Sequence, residues 1–144
     1  MKSQKRKDSF NDSTIKVPFF VPNISKEDKI AIHNALSSLL LTAGPVLSKF
    51  EKHFSNFTGS KYAIGVSNAT SALHLSLKSL GIGRGDEVIV PDITFVATAN
   101  AVLLAGATPV IVDVNNDLNI SVESIKNNLT KKTKAIIPVH LAGN

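Results

Sequence analysis

From residue 62 onward, short β-branched runs alternate with segments of helical period, and this alternation limits the fold more than any other feature of the chain. Tyr62–Val66, Glu87–Pro91, Thr108–Val114 and Ala135–Val139 read as strands. Ala69–Leu80, with Leu73, Leu77 and Leu80 inward, Phe95–Ala105 and Ser121–Leu129, capped by Ser121, read as helices. Nearly continuous apolar strands separated by helices predict an α/β fold whose parallel sheet is covered on both faces. A parallel strand normally continues into a crossover helix. The chain reaches Asn144 just after Ala135–Val139, so it is expected to be the front part of a larger domain, with apolar sheet edges exposed.

Upstream the pattern differs. Residues 1–14 read as a basic polar tail, expected to be disordered, and residues 15–144 as the incomplete domain. Val17-Pro18-Phe19-Phe20-Val21-Pro22 is too proline-bound for a helix interior and predicts an extended arm. Ser25 followed by Asp28 predicts a helix cap. Ile30, Ala31, Ala35, Leu36, Leu39 and Leu40 then recur at helical spacing until Gly44-Pro45, expected to end the element. A second amphipathic helix places Val46, Leu47, Phe50, Phe54 and Phe57 on one side, and Gly59 closes it.

Composition removes several functions. An apolar fraction of 43% and a charged fraction of 19% are those of a globular protein. Of the net charge of +5, +3 sits in residues 1–8, where Lys2, Lys5, Arg6 and Lys7 face Asp8, so neither nucleic acid nor a membrane is an expected partner. No apolar run reaches the ~18 residues that span a bilayer, and the start lacks a signal core; a cytoplasmic location is expected. With no cysteine in the chain, thiol catalysis and disulfides are excluded. His33, His53 and His74 are scattered on helices without carboxylate partners at ligand spacing, so no metal is expected.

Ligands of open α/β sheets bind beyond the carboxyl ends of the strands, and three places qualify. At Ser67-Asn68-Ala69-Thr70 small residues, hydroxyls and a new helix N-terminus could receive an anion; a plain N-cap explains the same residues equally well. In Pro91-Asp92-Ile93-Thr94-Phe95 the phenylalanine could offer a flat face to an aromatic ring, or belong to the core, with Asp92 or Thr94 capping the next helix. His140 could contact a ligand or be structural. Gly81-Ile82-Gly83-Arg84-Gly85 follows a helix and precedes a strand, the reverse of a dinucleotide fingerprint, and reads as a helix C-cap and turn. Asp113 reads as part of a turn with Asn115-Asn116-Asp117.

Taken together and in order, the segments resemble a known family. They are Leu41-Thr42-Ala43-Gly44-Pro45, Phe50-Glu51, Val66-Ser67-Asn68-Ala69-Thr70-Ser71-Ala72-Leu73-His74-Leu75 and Gly81 through Pro91. Thr94-Phe95-Val96-Ala97-Thr98-Ala99-Asn100-Ala101, Gly106-Ala107-Thr108-Pro109-Val110, Val112-Asp113-Val114 and Thr133 through His140 complete the set. From about Val17 to its end the chain resembles the DegT/DnrJ/EryC1/StrS family of pyridoxal-phosphate (PLP)-dependent sugar aminotransferases.

The resemblance implies a fold-type I aminotransferase large domain with a mainly parallel sheet, a smaller C-terminal domain and a homodimer with shared active sites. It implies that Asn68, Ala69 and Thr70 receive the cofactor phosphate and that Phe95 stacks on the pyridine ring. Thr42-Ala43-Gly44-Pro45 would lie near the active-site entrance and dimer contact. The implied reaction moves an amino group, usually from glutamate, to a nucleotide-linked keto sugar. The Schiff-base lysine and the pyridine-pairing aspartate of such enzymes belong to motifs beyond residue 144, and Lys131, Lys132 and Lys134 do not match. No catalytic residue is therefore assigned here, and the chain alone is expected to be inactive. Other readings are a related sugar dehydratase with histidine in place of the lysine, a non-catalytic remnant or partner of a full-length relative, and, more weakly, a generic nucleotide-binding domain.

Overall fold

The computed structural model describes residues 21–144. The expected tail, and the arm up to Phe20, lie outside them; Val21 and Pro22 are irregular and exposed. The chain falls into two compact units, one ending at Ala63 and the other running from Ile64 to Asn144.

The first unit holds helices α1 (Lys26–Leu36) and α2 (Pro45–Thr58). α1 starts on a reciprocal cap. Asp28 N–H donates to Ser25 Oγ at 3.0 Å, and Ser25 N–H donates to Asp28 Oδ2 at 2.8 Å. The helix stops at Leu36 rather than running through Leu39 and Leu40. Two serines compete with it there: Ser37 Oγ donates to His33 C=O and Leu40 N–H donates to Ser38 Oγ. Gly44-Pro45 accordingly opens α2 instead of closing α1. Gly44 is the extended N-cap and Pro45 takes the first turn, where a missing N–H is no loss. A Cβ on Gly44 would lie 2.8 Å from Leu40 O, so only glycine fits. Gly59, at φ 72°, closes α2. The expected apolar stripe is present, but Val46, Phe50, Phe54 and Phe57 are exposed.

The second unit is a three-stranded parallel sheet in the order β2-β1-β3, with β1 (Glu87–Pro91) between β2 (Thr108–Val112) and β3 (Thr133–Ile136). Helix α4 (Ala97–Ala105) packs against β1 and β2, and α3 (Ala69–Ser79) packs against α4 and sends Leu77 into the shared core. Leu77, Ile82, Val88, Val90, Ala101 and Val102 are the centre of the core. Each of these helices returns the chain toward the entry edge of the next strand. Their N-termini therefore point toward the edge where the strands exit.

Several expected boundaries move, each for a local reason. Tyr62–Val66 forms no strand among the described residues; it stays an irregular, exposed run leading into α3. Leu80, expected inward, is 71% exposed because it is the C-cap of α3. Gly81, at φ 73°, reverses the chain; its N–H donates to Lys78 O and that of Ile82 to Leu77 O, and Ile82 enters the core in place of Leu80. α4 begins at Ala97, not Phe95. β2 stops at Val112, because Val114 bridges Ile120 across a turn. β3 lies earlier than expected, although Ile137 N–H still donates to Ile89 O. Helix α5 (Val122–Asn128) is capped by Ser121, whose Oγ accepts from Ser124 N–H. The outer strands leave Ile111 and Ile136 exposed. No helix among the described residues is long and apolar enough to cross a membrane.

Candidate functional site

The first corner is the start of α3. Asn68 is extended, and its Oδ1 accepts the Ser71 N–H at 2.8 Å while its carbonyl accepts that of Ala72. Its Nδ2 donates to Ser67 Oγ, which in turn lies 3.3 Å from Ser71 Oγ. The two earlier readings of this corner are thus compatible. Asn68 is the cap, yet it occupies only the third N–H of the helix, and no hydrogen bond among the described residues engages the N–H groups of Ala69 and Thr70. The first turn holds no acidic residue. Open donors, the hydroxyls of Ser67, Thr70 and Ser71, and the positive end of the helix dipole make a setting suited to an anion.

The second corner follows β1. Asp92 N–H donates to Val112 O, fixing the exit of β1 against β2. Phe95 is 77% exposed, so its ring is not core and presents a bare aromatic face. Neither Asp92 nor Thr94 is the N-cap of α4; that position is Val96, without a side-chain cap. Thr94 Oγ1 instead lies 2.7 Å from Oγ1 of Thr98, a buried residue that the sequence reading passed over. Its local sequence signal is the four-residue spacing of the two threonines, Thr94 just before α4 and Thr98 in its first turn.

The remaining candidates are local. His140 is exposed, with Nδ1 3.1 Å from Asn144 O. Asp113 belongs to a turn: its Oδ1 accepts the Val114 N–H, and its own N–H donates to Ser124 Oγ. In the same turn Asp117 accepts two hydrogen bonds from Asn119, which hold its carboxyl below the usual carboxylate range. Gly81 and Gly85 carry positive φ in the turn between α3 and β1, away from any helix start. Thr42-Ala43-Gly44-Pro45 is the entry to α2, with Ala43 at φ 44°. Among the described residues no group of three or more His, Asp or Glu could hold a metal ion.

Residues 22–144 match the model of the DegT/DnrJ/EryC1/StrS aminotransferase family. The chain belongs to that family. Among solved structures, the aminotransferase from Psychrobacter cryohalolentis is 43% identical over 87% of this chain and 33% of its own, with a TM-score of 0.79. NtdA from Bacillus subtilis, solved with bound cofactor pyridoxamine phosphate (PMP), is 40% identical over 83% of this chain and 29% of its own, with a TM-score of 0.76. Spr1654 from Streptococcus pneumoniae, assigned as a sugar aminotransferase and solved in its PLP form, is 37% identical over 88% and 33%, with a TM-score of 0.83. This DegT/DnrJ/EryC1/StrS chain thus has the α/β architecture of a fold-type I PLP aminotransferase domain and spans about a third of the length of those structures. Spr1654 and NtdA were solved with PLP and PMP respectively. At its two corners this chain offers open N–H groups without a carboxylate and an exposed phenylalanine, groups whose chemistry fits a phosphate and an aromatic ring.

Proposed function

We propose that this chain supplies the phosphate and ring-face part of a PLP site in an enzyme that transfers an amino group, from glutamate, to a nucleotide-linked keto sugar. Residues 15–144 would belong to its large domain, and the working enzyme would be a cytoplasmic homodimer. The observation that carries the reading is the start of α3, where the N–H groups of Ala69 and Thr70 stand open in a first turn without an acidic residue. Asn68 keeps that turn in shape through its bond to Ser71 N–H. Ala69 lets the anion approach the backbone, Thr70 adds a hydroxyl, and Phe95 lies against the pyridine ring. PLP supplies the electron sink for making and breaking C–N bonds. The residues described here bind and orient it.

PMP is the suitable probe, because it lacks the aldehyde that would label surface lysines. Isothermal titration of the chain with PMP should show saturable binding that inorganic phosphate competes away. Thr70→Val should weaken it by about tenfold, the size of a hydrogen bond to a charged group. Absence of binding, or binding indifferent to phosphate, would overturn the reading.

A further inference from the structure

We propose that Thr98 is the positioning residue for the Phe95 ring, acting through Thr94. This rests on the cofactor reading above and deepens it. With a side chain 77% exposed, Phe95 has little packing to set its direction, so the backbone that carries it must do so. Among the described residues, the hydrogen bonds on the Phe95 backbone itself meet at one atom. The Phe95 carbonyl accepts the Thr98 N–H at 3.0 Å and, at a longer 3.4 Å, the Thr94 hydroxyl.

Both bonds trace back to Thr98. Its hydroxyl is 2.7 Å from that of Thr94, and its residue is 5% exposed, on a helix where Ala97, Ala101 and Val102 are buried as well. A buried hydroxyl needs a partner. When Thr98 Oγ1 donates to Thr94 Oγ1, the Thr94 proton is free to reach the Phe95 carbonyl, and one relay satisfies both groups. The relay ties the exposed loop to the buried face of α4. Loss of the Thr98 hydroxyl leaves the N–H bond but removes the buried anchor that holds the Thr94 hydroxyl toward the Phe95 carbonyl, so the phenylalanine stays exposed on a more loosely held loop.

Two probes separate ring from phosphate: PMP, which uses both corners, and inorganic phosphate, which uses only the start of α3. Thr98→Val keeps the shape and removes the hydroxyl. It should weaken PMP binding by about three- to tenfold, the range of one aromatic contact, and leave inorganic phosphate unchanged. Thr98→Ser should restore PMP binding, and Phe95→Ala should add little further loss to Thr98→Val. Unchanged PMP binding in Thr98→Val, equal loss of both probes, or failure of Thr98→Ser to restore binding would overturn the proposal. Should Thr98→Val not fold, Thr94→Val breaks the same bond from its half-buried side and must give the same selective loss. Wild-type chain that binds neither probe removes the cofactor reading and this proposal together. Wild-type chain that binds both, with Thr98→Val indistinguishable from it, removes this proposal alone.

Discussion

Helices α1 and α3 start in nearly the same way and end up suited to different tasks. Each begins on an extended residue, Ser25 or Asn68, whose side chain accepts the N–H three positions on. In both, the N–H groups of the first two helical residues take no hydrogen bond among the described residues. The difference is charge. α1 carries Glu27 and Asp28 in its first turn, and Asp28 reaches back to Ser25 N–H, so carboxylates already occupy the positive end of the dipole. α3 has alanine, threonine and serine at the corresponding places, and its positive end is left to whatever anion arrives. Open donors are common to helix starts; what separates α3 from α1 is the absence of a built-in carboxylate, which α2 and α4 share, together with the hydroxyls of Ser67, Thr70 and Ser71.

The helices also differ in what holds them. α1 has no buried residue, whereas Leu77 of α3 is 3% exposed in the core. Leu77→Ala should therefore have the largest effect, about 2–5 kcal/mol of stability by urea denaturation, against less than about 1 kcal/mol for Ile30→Ala on α1. Equal losses would mean that α1 is packed as firmly as α3 and that its cap is incidental.

Next in size is the conversion of one helix start into the other. Ser71→Asp puts a carboxylate where α1 has Asp28. The new charge should stabilise α3 by about 0.3–1 kcal/mol through the dipole and lower PMP affinity roughly a hundredfold through like-charge repulsion a few ångströms away. Thermal unfolding and calorimetry on the same variant read the two effects. Undiminished binding would show that the anion sits elsewhere.

The parts of this fold that could be foreseen are those set by residues near one another in sequence. The Ser25–Asp28 cap, the Ser121 cap, the Gly59 stop and β1 all depend on short-range spacing and lie where the pattern puts them. Tyr62–Val66 has an equally strong strand composition but joins no strand of the described sheet, because a strand is defined by its neighbour as well as by its residues. Leu80 shows the same dependence on context: its helical phase points inward, but the reversal at Gly81 sends Ile82 inward instead. At the site, Asn68, Thr70 and Phe95 stand out because small, hydroxyl and aromatic residues beside helix starts suggest an anion and a ring, and the ordered segments that resemble the family choose that reading over a plain cap or a core residue. Thr98 does not, since its role depends on being buried, and burial is settled by α4 packing on α3 and the sheet.

The smallest expected effect is a pH dependence confined to one of the two helix starts. Hydrogen bonds from Ser25, first from its backbone N–H and then through its side chain, hold the Asp28 carboxyl below its ordinary value. A carboxylate depressed on folding adds stability that is fully present above the ordinary value, near 4, and is lost as pH falls through the lower, folded one. The α1 start should therefore loosen only at strongly acid pH, and Asp28→Asn should remove the dependence. Ala69–Ser71 contains no titrating side chain, so the α3 start should not share it. Residue-resolved carbon shifts followed from neutral pH to about pH 2 would show a transition in Lys26–Lys29, with Ala69–Ala72 unchanged until the unit as a whole unfolds. A transition of the same midpoint in both segments would mean that acid acts on the global fold, and the contrast between a start closed by its own carboxylates and one open to an outside anion would lose its support.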